Sequence, residues 1–156
     1  MPKKKPNKPE ASANERAVRL LARREHSRAE LRYKLRGRGL EDAEIQPALD
    51  ELEDRGWQSD ERYAEAKASS RVSAGYGPLR IAAELSLAGV TDVLVDRTMA
   101  ALEVDWFAQI AELHQRRFGG RPGSGRQWQQ QCRFLQTRGY TGEQIRSVLG
   151  EPIYGD

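Results

Sequence analysis

Residues 35–49 read LRGRGLEDAEIQPAL, residues 85–99 read LSLAGVTDVLVDRTM, and residues 135–149 read LQTRGYTGEQIRSVL. The three stretches align without a gap at a spacing of 50 residues, which is the signature of an internal repeat. Each has a leucine, then a glycine, an apolar or aromatic residue directly after the glycine, and two apolar residues four positions apart. The glycine predicts the end of one helix, and the apolar pair predicts a second helix.

Another amphipathic segment lies ahead of each copy, at about residues 15–26, 60–73 and 105–118. The repeating unit is therefore predicted to be three helices, and no two-residue alternation indicates a strand. A unit this small buries little apolar surface alone, so neighbouring copies must pack in series. We predict an all-α chain of three tandem three-helix repeats that form an elongated, curved array. The predicted limits are 14–58, 59–103 and 104–150, between a basic disordered tail at 1–13 and a C-terminal tail at 151–156.

Helix punctuation agrees with this division of the chain. Ser27 with Glu30, and Thr141 with Gln144, have the spacing of capping boxes. Pro47 falls about two turns into the third helix of the first copy, where it predicts a kink or a late start. The connector 119–125 contains four glycines in seven residues and is expected to be mobile. Four further glycines are expected to end helices: Gly39, Gly56, Gly89 and Gly139.

The composition fits a highly charged chain, with 31% charged and 38% hydrophobic residues. No apolar run approaches the roughly 18 residues of a membrane span. The basic N-terminus has no apolar core after it, so a secretion signal is not expected. Cys132 is the only cysteine, which excludes an internal disulfide and a cysteine-based zinc site. These features predict a cytoplasmic protein.

Charge is segregated along the chain, although the net charge is only +3. Residues 16–38 hold nine basic side chains against two acidic ones, whereas residues 41–65 hold ten acidic against two basic. Residues 114–138 hold six arginines and no acid. Blocks of this kind create local fields that steer association even when the totals cancel.

The parts of a catalytic or metal site are scarce. His26 and His114 have no ligand neighbour at metal-binding spacing and are expected to have surface roles. Cys132 is expected to be a small core residue rather than a reactive thiol, because Trp128 lies one turn before it. The acids of 50–61 match no calcium loop and are expected to form a solvated face or to pair with basic helices. We therefore predict no enzyme activity, no cofactor and no metal.

The basic surface remains as the candidate site, because the guanidinium fork of arginine suits phosphate or carboxylate recognition. Arginines at 24, 28, 32 and 36 step every four residues, and the alternative to a binding role is a solvated, salt-bridged face. Tyr33 and Tyr76 are candidate aromatic contacts for bases. The predicted partner-binding or DNA-binding residues are Arg24, Arg28, Arg32, Lys34, Arg36, Arg38, Tyr76, Arg80, Arg116, Arg117, Arg126, Arg133 and Arg138.

Four motifs in order resemble the bacterial RecX family over about residues 17–149. They are HSRAEL at 26–31, which runs into Lys34, Leu35 and Gly39, WQSDERYA at 57–64, YGPLRI at 76–81 and RFLQTRGY at 133–140. The tyrosines at 63 and 140 stand where phenylalanine is commoner in the family, and the glutamines at 129–131 are unusual for the third copy.

The resemblance implies a modulator of the RecA recombinase in recombination and DNA repair. Such a protein is a bent array of three-helix repeats that lies in the groove of the RecA filament on single-stranded DNA. It limits filament growth and suppresses ATP hydrolysis, strand exchange and co-protease activity, and members of the family also bind DNA. Two alternatives stay open: a general DNA-binding repeat protein that acts through basic patches, and a scaffold that binds proteins only.

Overall fold

The computed structural model describes residues 1–2 and 11–155, and within them the chain forms nine α-helices and no strand. They are α1 (Ala13–Leu21), α2 (Arg28–Gly37), α3 (Asp42–Asp54), α4 (Asp60–Ser73), α5 (Pro78–Leu87), α6 (Asp92–Ala101), α7 (Trp106–Phe118), α8 (Gly125–Arg138) and α9 (Gly142–Leu149). We call α1–α3 the first repeat, α4–α6 the second and α7–α9 the third. The all-α repeat fold predicted from the sequence is confirmed. Most of the predicted N-terminal tail, residues 3–10, lies outside the described residues.

The columns that recur every 50 residues form the same helix C-terminus three times. In the first copy, the Leu40 N–H donates to the Leu35 carbonyl at 3.3 Å, and the Gly39 N–H donates to the Arg36 carbonyl at 2.9 Å. This pair of bonds is a Schellman motif, which needs a left-handed residue at the glycine. Copies two and three make the equivalent bonds at 3.1 and 3.0 Å, and at 3.2 and 3.0 Å. The three glycines have φ of 85°, 84° and 95°, so all three copies end this helix with the same left-handed glycine.

The chain divides into two compact units, residues 1–63 and 64–156, and the boundary falls within α4. In the first unit, α1, α2 and α3 pack on one another. Their shared core consists of Ala13, Ala17, Leu31, Leu35, Ile45, Ala48, Leu49 and Leu52. Burial of a leucine or isoleucine side chain contributes about 1.5–3 kcal/mol, so these residues hold the three helices together.

In the second unit, α7 and α8 both pack on α9, and α5 packs on α6. The third repeat has a core of Ile110, Leu113, Cys132, Leu135, Tyr140, Ile145 and Leu149. In the second repeat, Ile81 and Leu85 are fully buried at the positions that correspond to Leu31 and Leu35. The described helices are too short and too polar for any of them to cross a bilayer.

The helix starts follow the sequence with two exceptions. Ser27 and Thr141 cap α2 and α9 as predicted, and the capping box at Thr141 is complete. The late start that Pro47 predicted for the third helix was wrong, because α3 begins at Asp42. The four buried residues of this helix offset the hydrogen bond that the proline lacks. Gly125 was expected in the mobile connector, but it is the first residue of α8, capped by Ser124.

Candidate partner-binding surfaces

The arginine row on α2 is paired with acids of α3. The Arg28 guanidinium donates to Asp50 at 2.7 Å and to Glu53 at 2.9 Å. Arg32 binds Asp42 through two parallel hydrogen bonds of 3.0 and 2.9 Å. These bonds hold the pKa of the Asp42 carboxyl below its usual value. Because α2 and α3 are antiparallel neighbours in a hairpin, the basic block and the acidic block of the sequence face each other.

The remaining members of the row are also paired. Arg36 lies 3.5 Å from Asp42, and Arg24 donates to Glu30 at 2.9 Å. Each of the four arginines predicted as a contact in this row therefore has an acidic partner inside the first repeat. The sequence left two alternatives for the acids of 50–61, a solvated face or pairing with basic helices. Pairing is confirmed for Asp50 and Glu53, which both bind Arg28 of α2.

Lys34 and Arg38 lie on the other side of α2. The Lys34 ammonium is 3.1 Å from Nε2 of His26, and Arg38 has no ion pair with any acid among residues 11–155. Both side chains line a cleft of about 580 Å³ between α1 and α2. Three further arginines line the same cleft: Arg16, Arg19 and Arg23. These three were not among the residues predicted from the sequence, although Arg16 and Arg19 have the spacing of neighbours on one face of α1 and Arg23 follows two residues after that helix.

The two histidines are buried, so the surface roles predicted for them were wrong. His26 is 1% exposed, and its Nδ1 contacts the Arg24 carbonyl oxygen at 3.0 Å. Burial lowers the pKa of His26, which favours the neutral ring that accepts from Lys34. His114 is 5% exposed, and its Nε2 lies 2.8 Å from Oε1 of Gln131 in α8. Each imidazole therefore takes part in packing and local hydrogen bonding.

Three guanidinium groups surround the ring of Tyr76. The carbon atoms at their centres lie 4.4 Å (Arg80), 4.8 Å (Arg138) and 5.1 Å (Arg71) from the ring centroid, within the range of cation–π attraction. Arg80 also donates to the Thr137 carbonyl at 3.0 Å, and Arg138 donates to the Ala74 carbonyl at 3.1 Å. The structure thus brings together three predicted site residues, Tyr76, Arg80 and Arg138, at a junction between the second and third repeats.

At this junction the start of α5 meets the end of α8. The N–H groups of Gly77 and Leu79 donate to the carbonyls of Arg138 and Gly139 at 2.7 and 2.9 Å. The free N–H groups of one helix thereby satisfy the free carbonyls of another, and the positive end of one helix dipole meets the negative end of the other. A Cβ at Gly77 would lie 2.5 Å from the Gly139 carbonyl oxygen, so the contact requires a residue without a side chain.

The third repeat carries cations without acidic partners. Arg116, Arg117 and Arg138 line a cleft of about 490 Å³ beside Phe134. Arg126 and Arg133 line another of about 600 Å³, which Phe134 also borders, together with Gln129, Gln130 and Thr137. In the part of the chain that the structure describes, none of these five arginines forms an ion pair with an acid. Their charges are therefore not neutralised by an acid, although Arg138 is also held at the junction by Tyr76 and the Ala74 carbonyl.

The described residues contain no group of three or more histidine, cysteine, aspartate or glutamate side chains that could hold a metal ion. Cys132 is buried, as predicted, and burial raises the pKa of its thiol. A raised pKa leaves little reactive thiolate at neutral pH. The chemistry that the surface offers is binding through arginine forks.

Comparisons with known proteins identify the same architecture along the chain. Three family models match in order: RecX, first three-helix domain, at residues 13–52; RecX, second three-helix domain, at 59–99; and RecX, third three-helix domain, at 103–149. Each match covers one of the three groups of helices.

Curated relatives carry the name Regulatory protein RecX. The Halorhodospira halophila protein is 45% identical over 133 residues, which cover 85% of this chain and 83% of the relative. The Pseudomonas entomophila protein is 46% identical over 140 residues, which cover 88% and 90%. Among solved structures, RecX from Lactobacillus salivarius superposes with a TM-score of 0.69 at 21% identity, over 86% of this chain and 90% of that chain. At this identity the superposition bears on the fold alone.

Proposed function

This chain belongs to the RecX family, and from that membership we propose that it regulates a RecA recombinase in the cytoplasm. It binds the filament that RecA forms on single-stranded DNA and suppresses ATP hydrolysis, strand exchange and co-protease activity. The observation that carries the proposal is the match of three consecutive RecX domains over residues 13–149. The mechanism is binding without catalysis.

The contact residues in this proposal are six of the predicted cations that form no ion pair with an acid among the described residues. They are Lys34, Arg38, Arg116, Arg117, Arg126 and Arg133. Such side chains can form charge-assisted bonds to phosphates of the DNA or to carboxylates of the protein filament. Phe134 between the two third-repeat clefts adds an aromatic surface, which suits unpaired bases.

The other predicted contacts have a supporting role in this proposal. Arg24, Arg28, Arg32 and Arg36 are ion-paired, and we assign them to these internal pairs rather than to contact with a partner. Tyr76, Arg80 and Arg138 fix the junction between the second and third repeats, and Arg138 also borders the third-repeat surface.

The test is the DNA-dependent ATPase of the cognate RecA. Wild-type protein is expected to slow ATP hydrolysis at substoichiometric or near-equal amounts, and the Arg126→Glu/Arg133→Glu variant is expected to need a higher concentration. The matched control exchanges an internal pair, Arg32→Asp with Asp42→Arg, because reversing Arg32 alone would set two negative charges against each other. Absence of inhibition by the wild type at any ratio would refute the proposal.

A general DNA-binding protein is the second candidate, and the unpaired arginines of the third repeat favour it. Binding dominated by phosphate contacts weakens steeply with salt and does not depend on RecA. Affinity for bare DNA equal to that for the filament, with RecA ATPase unaffected, would favour this candidate over a filament regulator.

A further inference from the structure

The cleft between α1 and α2 has the character of a separate anion site. We call it the α1–α2 groove and define it by the five cationic side chains around its volume of about 580 Å³. They are Arg16, Arg19, Arg23, Lys34 and Arg38.

Charge in the groove is unbalanced, in contrast to the opposite side of α2. Arg19, Arg23 and Arg38 form no ion pair with any acid that the structure describes, and all three are exposed. Arg16 donates one N–H, from Nε, to the Ala11 carbonyl at 3.1 Å. Like charges that line one cleft repel one another, so a groove of this composition is stabilised by a bound anion.

The floor of the groove offers no competing polar groups from side chains. It consists of Leu20, Leu35 and Gly37, and a Cβ built at Gly37 would meet nothing within 4 Å. An apolar floor offers no side-chain hydrogen bond that would select a particular side chain or base. It suits a ligand that is held by its charges alone.

The spacing of the cations fits a ligand with regularly repeated charges. Arg16 and Arg19 are about 4.5 Å apart along α1, at 1.5 Å per residue, and Arg23 follows two residues after the helix ends; Lys34 and Arg38 are about 6 Å apart along α2. The cations are thus spread along the groove and can contact more than one phosphate of a single strand. We propose that the α1–α2 groove binds the phosphodiester backbone of a nucleic acid strand, as a site separate from the third-repeat arginines. This site deepens the proposed function and rests on it for the presence of a DNA strand at the filament.

An acidic protein segment is a different ligand for the same charges, and it fits the groove less well. Peptides are held in grooves by anchored side chains or by backbone hydrogen bonds. The floor of the groove consists of Leu20, Leu35 and Gly37, whose side chains offer a peptide no hydrogen-bonding group. The alternative for Lys34 and Arg38 is a purely structural role, because cations in the last turn of a helix complement its dipole. That role predicts a change in thermal stability rather than in binding.

The experiment measures binding of a fluorescent thymidine oligonucleotide by anisotropy, without RecA, over a series of salt concentrations. The variant is Arg19→Gln/Arg23→Gln/Arg38→Gln. The matched control is Arg28→Gln/Arg32→Gln/Arg36→Gln, which removes the same charge from the side of α2 that is ion-paired with α3. For single strands, each phosphate contact contributes about 0.7 to the slope of log K against log salt, so the groove variant should lose about 2 from that slope. The control should retain at least three quarters of the wild-type slope.

The outcomes separate this inference from the proposed function. An unchanged slope in the groove variant overturns the inference, whatever happens to RecA. Loss of the slope in that variant, while the wild type still slows RecA ATPase, supports both. Loss of the slope without any effect of the wild type on RecA supports the site and refutes filament regulation.

Two further arms identify the ligand. A duplex of the same length tests whether the groove prefers one strand or two, and either preference keeps the phosphodiester as the ligand. Polyglutamate of matched charge is added as a competitor; equal displacement of the oligonucleotide, lost in the groove variant, would overturn the assignment in favour of an acidic protein segment. If the groove variant melts below the control, the milder Arg19→Gln/Arg38→Gln variant is measured, with an expected loss of about 1.4 from the slope.

Discussion

Substitution of Gly77 by alanine tests the head-to-tail contact between α5 and α8. Gly77 has a φ of −89°, which alanine adopts without strain, so backbone entropy alone would make the change stabilising by about 0.4–1 kcal/mol. The added Cβ would, however, lie 2.5 Å from the Gly139 carbonyl oxygen and 2.7 Å from the Tyr140 nitrogen. Real Cβ contacts begin beyond 3.0 Å, so the two helix ends must separate.

That separation sets the magnitude of the effect. The two bonds across the contact, at 2.7 and 2.9 Å, lengthen beyond hydrogen-bonding distance when the helix ends move apart by about 1 Å. Each lost bond costs about 0.5–1.5 kcal/mol, and the strain of overpacking adds about 1–3 kcal/mol. After the entropic gain is subtracted, we expect Gly77→Ala to lower the free energy of unfolding by about 1–5 kcal/mol. At about 2–4 °C per kcal/mol for a chain of this size, Tm should fall by about 2–20 °C.

The assay is urea unfolding followed by circular dichroism, with Gly37→Ala as the control. Gly37 ends α2, and a Cβ there meets nothing within 4 Å. The free energy of unfolding of the Gly37→Ala variant should therefore equal that of the wild type or exceed it by up to about 1 kcal/mol. A Gly77→Ala protein with the urea midpoint of the wild type would show that the helix ends adjust without cost, and the reasoning from close approach would be refuted.

Three further predictions concern polar groups. Substitution Arg32→Gln should raise the pKa of Asp42 in a carbon-13 NMR titration, because two hydrogen bonds that favour the carboxylate are lost. The stability that this pair contributes is present above the ordinary carboxyl pKa and is lost as pH falls through the lowered pKa of Asp42. An unmoved pKa would contradict the pairing. The lowered pKa of His26 means that the unfolded chain takes up the proton first below about pH 6.5, so the stability of the wild type should fall between pH 7.5 and 5.5 by more than that of His26→Gln, and equal falls would count against a buried neutral ring. The Tyr140 hydroxyl donates to the Gly75 carbonyl at 2.9 Å, so Tyr140→Phe should cost about 1–3 kcal/mol in urea unfolding, and a neutral substitution would mean that water replaces the hydroxyl.

Much of the fold follows from local sequence. The leucine, glycine and apolar columns at 35, 39 and 40 recur because a Schellman motif needs an αL residue between two apolar contacts, and this requirement is met within six residues. The family resemblance inferred from four short motifs is confirmed by the three domain matches. Features of this kind can be predicted because the residues that determine them lie within a few positions of one another in the sequence.

Contacts over longer distances were less accessible. Pro78 opens α5, as the residues around it indicate, but nothing near Gly77 in sequence shows that a helix end 62 residues away will contact it. The burial of His26 has the same origin, because its carbonyl accepts from Gln58, 32 residues further on. Counting charges along the chain shows where basic and acidic residues are concentrated. It does not show which arginine forms an ion pair, because that depends on the face of the helix that each side chain occupies.

The first repeat shows how two positions on one helix come to have different roles. Successive residues of an α-helix turn by about 100°, so Arg32 and Arg36 stay on one side of α2, while Lys34 and Arg38 lie about 200° away from them. The first side faces α3 and its acids, and the second faces α1 and its arginines. Exposed ion pairs contribute only about 0–1 kcal/mol each, so the paired side adds little to stability but leaves no charge available for a partner. A charge scan of α2 should therefore alternate with position: substitutions at 32 and 36 disturb internal pairing, and the substitution at 38 changes binding. A scan in which all three positions had the same effect on DNA binding would mean that the internal pairs open in the complex.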